Sequence, residues 1–386
     1  MFKRVSLMPS SRAILGAFVA AHVFNDFYAT VLPAFLPALA REWDLDYAEL
    51  GLLSFSFTLL TGILQPLLGH AADREGKRRF IVSVGFFVGS IGFLCMAVAP
   101  SFWVITVVSL LCGLGTATYH PQATAFIVNE YPDDRGRMLG IHGWGGSIGH
   151  FLAPAVATIA IAVLDWRWAM VIIAIPLTAT GLGLHFFLPE STPNPQATLR
   201  GAIGRPLIVA SLAFGLSNIV LYSFVTFVVK MLVDEGWAET TAGATLTAML
   251  LIGAVAQPVG GRIYDRFGGR RLFVGANLGI ITAVLVFSQT SGAISLIAVG
   301  TVAMFGFGLF PVSLAIASKI GGEKRTGFSV GVLFGVTGLL GAAARPAVGA
   351  LAEALGDIRV ALSWTVVSAI AALPFAMQLE ADRSTS

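Results

Sequence analysis

Twelve apolar stretches, each long enough to cross a lipid bilayer, follow one another through 386 residues. A spanning helix takes about 20 predominantly apolar residues. Inside lipid its backbone groups must be satisfied within the segment, which makes each stretch an expected α-helix. The stretches run over 13–39, 49–71, 79–99, 102–126, 138–163, 168–188, 205–231, 240–263, 271–289, 292–318, 327–352 and 358–379. The residues left over suit short connections and leave no room for a separate soluble domain. Only 12% of residues are charged, against about a quarter in a soluble domain, so a water-facing globule is excluded. Lys3, Arg4 and Arg12 ahead of the first stretch superficially resemble a signal peptide. That stretch is too long for a cleaved apolar region and carries His22, Asn25 and Asp26, so it is expected to stay. Cys95 and Cys112 both fall inside apolar runs and support neither a disulfide framework nor a metal site.

Basic residues set the orientation of such a chain, because loops rich in Lys and Arg stay cytoplasmic. The face holding the N-terminus carries eighteen or nineteen of the 24, according to where Arg205 is placed. The opposite face carries Arg41, Arg167, Lys230 and Arg359, and Arg345 lies inside the eleventh stretch. Both termini are therefore expected in the cytoplasm of a multi-pass inner-membrane protein. With so few basic residues, placed as topology signals, nucleic acid is not an expected partner.

The chain also contains itself once. Residues 64–79 and 256–271 match at eight of sixteen positions, at an offset of 192. The same offset pairs Gly143, Gly146, Gly149 and Pro154 with Gly335, Gly338, Gly341 and Pro346, and Asp26 with Asn218. The expected architecture is all-α: twelve transmembrane helices in two parallel six-helix halves, 1–188 and 205–386. They are joined by a Pro-rich cytoplasmic linker, 189–204. Two parallel halves around a central cavity suit alternating access.

The run Gly69, Asp73, Arg74, Gly76, Arg78 and Arg79 resembles the loop 2–3 signature of the major facilitator superfamily, and Gly261, Asp265, Arg266, Gly268, Arg270 and Arg271 repeat it. Within that superfamily, His22-Val-Phe-Asn25-Asp26, Tyr119-His120-Pro121 and Gly145-Gly146-Ser-Ile-Gly149-His-Phe-Leu-Ala153-Pro154 resemble the fosmidomycin-resistance group of exporters. Gln122 stands where that group tends to have Glu, and the helix 4 Arg of the wider drug-exporter pattern is absent near Val108. The resemblance implies the major facilitator fold. It also implies a gating contact between Asp73, at the end of helix 2, and the N-terminus of helix 11. A carboxylate at its own helix C-terminus opposes the dipole and needs such a partner. The glycine runs of helices 5 and 11 are expected to form the sliding surface between the halves.

An ionisable group at mid-bilayer is costly and marks function by default. Asp26 is one, and His22 lies four residues earlier on the same helix face. A carboxylate and an imidazole one turn apart can relay a proton. Arg345 is another, flanked by small residues and Pro346; a guanidinium there binds carboxylate or phosphate in a fork. Asn25, His120, Gln122, His150, Asn218 and Tyr222 complete the candidate cavity, and His142 is a fourth histidine within a span. Their spacing gives no metal motif, and no nucleophilic Ser/His pair or nucleotide-binding loop is present, so neither an enzyme nor an ATP-driven pump is expected. The reading is a monomeric secondary transporter, an exporter or antiporter of a small anionic or zwitterionic solute or drug. It needs no cofactor and takes its energy from the proton gradient. Proton-coupled import of an organic anion, and a membrane sensor or scaffold without transport, are the alternatives.

Overall fold

The structure, a computed structural model, describes residues 10–131, 134–190, 193 and 203–379, with side chains except at 73, 128, 135, 136 and 323–327. The described residues are helical almost throughout and contain no strand. The twelve helices are α1 (Ser11–Trp43), α2 (Tyr47–Glu75), α3 (Arg78–Ala97), α4 (Phe102–Ile127), α5 (Arg135–Leu164), α6 (Trp166–Phe187) and α7 (Arg205–Asp234) in the first part. Then come α8 and α9, the two parts of Glu239–Gln289 on either side of Gly268, followed by α10 (Gly292–Gly322), α11 (Phe328–Leu355) and α12 (Ile358–Gln378). Gly268 stands at φ 79°, a conformation that costs an L-residue about 1–2 kcal/mol, and it lets α8 turn into α9. Its counterpart in the first repeat, Gly76, ends α2 at φ 72° with its N–H on the Ala72 carbonyl. The two signature glycines are thus turn residues. The linker over 194–202 lies outside the described residues.

Local chemistry repeats with the sequence. Asp165 caps α6 by accepting from the Arg167 and Trp168 amides, and Asp357 caps α12 by accepting from the Arg359 amide. Each arginine then clamps neighbouring helix ends: Arg167 donates to the Ala97 and Ala99 carbonyls and pairs with Glu42 at 2.7 Å, while Arg359 donates to the Thr290 carbonyl and pairs with Glu235 at 2.8 Å. α4 and α10 are each broken at the same relative place, Thr118 and Leu309, where the amide bonds three residues back instead of four. Pro121 and Pro311 follow the breaks; a proline ring clashes with the carbonyl four residues earlier. These breaks carry His120 and Phe310 onto the central cavity.

Helices α1–α6 and α7–α12 form two bundles. The main packings between them are α2 against α11 and α5 against α8. On the face opposite the chain termini, the far face, the seam is closed. A Cβ on Gly51 would lie 2.6 Å from the Arg345 carbonyl oxygen, and one on Gly349 would lie 2.1 Å from that of Tyr47. The Tyr47 hydroxyl donates to Asp234 at 2.6 Å, its amide donates to Glu353 at 2.9 Å, and Arg41 pairs with Glu239. Toward the other, near face, the start of α5 and the ends of α8 and α10 line the cavity between the bundles.

Candidate functional site

Between the bundles lies a cavity of about 920 Å³, within the size range of small-molecule sites. Leu139, Gly140 and Trp144 of α5, Gly261 of α8, and Ser318, Lys319 and Gly322 of α10 line it toward the near face, and Arg345 lines its closed end.

Asp26 is the centre of its first-bundle wall. Asn25 Nδ2 donates to Asp26 Oδ1 at 2.9 Å. Three imidazole Nε2 atoms surround the carboxylate: His22 at 3.1 Å, His150 at 3.2 Å and His120 at 3.4 Å. The groups come from α1, α4 and α5. A second layer fixes the rings. His22 Nδ1 lies 2.7 Å from the His142 carbonyl, and the His22 and His142 rings stack at 4.0 Å. The Tyr119 hydroxyl donates to the Phe18 carbonyl and meets His142 Nε2 at 2.9 Å, and Thr30 bonds His150 Nδ1. The His22 Nδ1 proton is committed to a carbonyl, which can only accept. A hydrogen bond between His22 Nε2 and Asp26 therefore needs one further proton between them.

The packing of α5 on α1 makes this cluster possible. A Cβ on Gly146 would sit 2.4 Å from Asp26 Oδ2 and 2.6 Å from His22 Nε2, and one on Gly149 would sit 2.1 Å from the Val23 carbonyl. Gly145, Gly146 and Gly149 of α5 thus face α1 of their own bundle, while Gly140 and Gly143 line the cavity. This corrects the expectation that the α5 run forms the sliding surface; of the two runs it is α11 that meets the other bundle, with Gly331 against Pro66 and Gly335 against Gly62. The physical reason is room for the carboxylate and imidazole of α1.

Arg345 forms the opposite pole. Nε donates to Thr226 Oγ1 of α7 at 3.0 Å, and Nη1 donates to the Ser54 carbonyl at 3.2 Å and to Thr58 Oγ1, both on α2. Its guanidinium carbon lies 5.6 Å from the Tyr222 ring centroid. Every partner is neutral, and no acid pairs with it among the described residues. The side chain does not snorkel to the far interface; it bridges the two bundles at the cavity floor.

His22, Asp26, His120, His150, Tyr222 and Arg345 all line the cavity, and Asn25 supports Asp26 from behind. Gln122 and Asn218 lie elsewhere. Gln122 is fully buried with Nε2 on the Leu68 carbonyl at 3.2 Å, and Asn218 is fully buried with Nδ2 on the Phe214 carbonyl at 2.9 Å. Gln122 thus ties α4 to α2, whereas Asn218 bonds back within its own helix. His142, Tyr119, Thr58 and Thr226 belong to the site without having been singled out as site residues. The donor atoms of His22, Asp26 and His120 fall within 4.8 Å of one another, a grouping that a metal could use and that spacing along one helix could not show. Their N–O separations, 3.1 and 3.4 Å, are those of ordinary to long hydrogen bonds.

Of the signature residues, Gly69 packs against Pro121, where a Cβ would lie 3.0 Å from the proline Cβ. Arg74, Asp265 and Arg271 are exposed, and Arg266 lies over the Phe267 ring at 5.1 Å. Arg79 pairs with Glu190 at 3.0 Å, and Arg270 Nε donates to the Leu379 carbonyl at 2.8 Å. Each copy thus ties down the chain just beyond the last helix of its bundle. The side chains of Asp73 and of residues 323–327, just before α11, lie outside the described ones.

Known proteins give the same fold. A bacterial homolog of the human lysosomal transporter Spinster, in an inward-facing and unoccupied conformation, superposes with a TM-score of 0.77 at 17% identity, covering 96% of this chain and 97% of that one. The uncharacterized MFS-type transporter YfnC of Bacillus subtilis (strain 168) is 28% identical over 87% of this chain and 85% of its own. The fosmidomycin resistance protein of Escherichia coli (strain K12) is 23% identical over 73% of this chain and 72% of its own. The family model of the Major Facilitator Superfamily matches residues 18–318 and 207–385. The chain belongs to the Major Facilitator Superfamily and is a multi-pass membrane transporter of small molecules, not an enzyme.

Proposed function

We propose that the chain is a proton-coupled exporter of a small anionic or zwitterionic solute, working by alternating access in the inner membrane with both termini in the cytoplasm. On this reading the structure is the inward-facing state, and the carrier acts as a monomer with 1–188 and 205–386 as its moving halves. The observation that carries it is the pairing of two unlike charged poles on one cavity. Asp26 within its ring of imidazoles is the proton carrier, with His22 as its relay. Arg345, a cation without an acid partner among the described residues, is the anion anchor, because an uncompensated charge in a low-dielectric wall favours an opposite charge in the ligand. One relative is named as a fosmidomycin resistance protein, and fosmidomycin, a phosphonate, is an anion of the class this pole would take. The signature glycines and Asp73 serve the near-face gate.

A second reading, proton-coupled import, draws on the same geometry: a proton added to the Asp26 cluster makes the cavity more attractive to an anion, which favours movement in the same direction. Solute flux in proteoliposomes, with and without an imposed proton gradient and with internal pH recorded, tests both. Solute and protons moving in opposite directions support the exporter, and movement together supports import. Flux indifferent to the gradient overturns proton coupling.

A further inference from the structure

Arg345 does two things at once: it faces the cavity, and it ties α11 to α2. Both threonines that hold it have already spent their single proton. Thr58 Oγ1 donates to the Ser54 carbonyl at 3.0 Å, and Thr226 Oγ1 donates to the Tyr222 carbonyl at 2.7 Å. Each therefore offers the guanidinium only a lone pair, and the third partner, the Ser54 carbonyl, is likewise a pure acceptor. The cradle mimics, with neutral atoms, the acceptor array of an oxyanion. Nε is held within its own bundle by Thr226, Nη1 reaches across to α2, and Nη2 has no protein partner among the described residues. A ligand with two acceptor oxygens takes the fork end-on, through Nη1 and Nη2, because Thr226 occupies Nε. A monatomic anion is satisfied by Nη2 alone.

We infer that Thr58 and the Ser54 carbonyl are stand-ins which a bidentate oxyanion displaces from Arg345, so that recognition of the substrate's anionic group is what releases α11 from α2 at the far gate. This rests on the reading of Arg345 as the anion anchor. The occupant is a carboxylate, phosphonate or sulfonate: such a group brings a full negative charge and two acceptor oxygens in the geometry of the guanidinium fork, where a hydroxyl and a carbonyl offer only dipoles. The released seam is the one where the Arg345 carbonyl lies against Gly51 and the Tyr47 carbonyl against Gly349. Thr226 is a positioning residue, since holding Nε forces the end-on approach.

The experiment uses the full chain in nanodiscs, with Cys95 and Cys112 replaced by alanine and Ala352, buried at the far end of α11, replaced by cysteine. Fosmidomycin, sulfoacetate and glucuronate serve as phosphonate, sulfonate and carboxylate probes, with chloride as the monatomic control. In the otherwise unchanged protein, an oxyanion that binds accelerates thiol labelling at 352 and chloride does not. Thr58→Val removes a competitor without removing charge. It should label faster without any probe and bind the oxyanion about threefold to tenfold more tightly. Thr226→Val should keep binding while losing much of the probe-induced labelling. Unchanged or weaker oxyanion binding in Thr58→Val, or labelling that ignores a bound oxyanion, overturns the inference and leaves the anchor reading standing. If none of the oxyanions binds the unmutated protein, the anchor reading itself fails. In that case Thr58→Val labelling without probe still reports whether the contact is a latch; melting temperatures separate it from a loss of fold.

Discussion

The most exacting perturbation is a single methyl group at Gly146. The Cβ of Gly146→Ala would stand 2.4 Å from Asp26 Oδ2 and 2.6 Å from His22 Nε2, about an ångström short of ordinary contact. Oδ2 accepts from both His22 and His150, so the carboxylate cannot turn aside without breaking at least one of these bonds. A hydrogen bond to a charged group contributes about 1.5–3 kcal/mol, which is roughly a tenfold to hundredfold change in the equilibrium that loads the proton. Two neighbours on the same helix provide controls. Gly143→Ala meets nothing within 4 Å and should raise helix stability by about 0.5–1 kcal/mol with transport intact. Gly149→Ala drives into the Val23 carbonyl at 2.1 Å and should lower the melting temperature by separating α5 from α1. The assay is gradient-driven flux in proteoliposomes across a pH series, with melting temperature measured in parallel. Gly146→Ala should cut the flux tenfold or more and displace its pH profile, with a smaller thermal cost than Gly149→Ala. Wild-type flux and an unmoved pH profile in Gly146→Ala would refute the assignment of Asp26 and His22 as the proton site.

Three further outcomes follow from the topology and the gate. In a background without Cys95 and Cys112, Asp44→Cys should label from outside the cell and Lys77→Cys only after the membrane is breached; the reverse pattern overturns the orientation. Gly76→Ala should destabilise the near end of α2 by about 1–2 kcal/mol, because Gly76 stands at φ 72°, whereas Asp73→Asn should slow turnover far more than it weakens solute binding, since a gate contact shifts conformational populations. Normal turnover in Asp73→Asn would reduce it to a topology marker.

The helices were readable because a bilayer imposes a length on every segment, and the repeat was readable because its signature glycines cannot be replaced cheaply: Gly76 and Gly268 stand at positive φ, and Gly69 must clear Pro121. Asp26 and His22 were readable as a pair because they are one turn apart on one helix. The rest of the cluster was not, since His120, His142 and His150 reach Asp26 or its partner from α4 and α5, and no spacing along a single helix encodes that. Gln122 and Asn218 show the converse limit. Each has the composition of a cavity residue, yet each rotates to satisfy a neighbouring carbonyl. Thr58 and Thr226 look like ordinary span threonines until the Arg345 side chain is placed between them. The Asp165 and Arg167 pair and its copy, Asp357 and Arg359, obey the same 192-residue offset and were open to the eye. Their meaning as a helix cap and a clamp on the far-face ends needed the fold.

The most direct test of the central claim separates exchange from accumulation in Asp26→Asn. Asparagine keeps the size of the side chain and cannot take up or release the proton. With the unmutated protein, proteoliposomes under an imposed proton gradient should concentrate the solute beyond equilibrium and should also exchange labelled for unlabelled solute. With Asp26→Asn, exchange should persist and accumulation should vanish at every pH. A mutant that still concentrates solute against its gradient contradicts the account, because the proton would then be carried elsewhere.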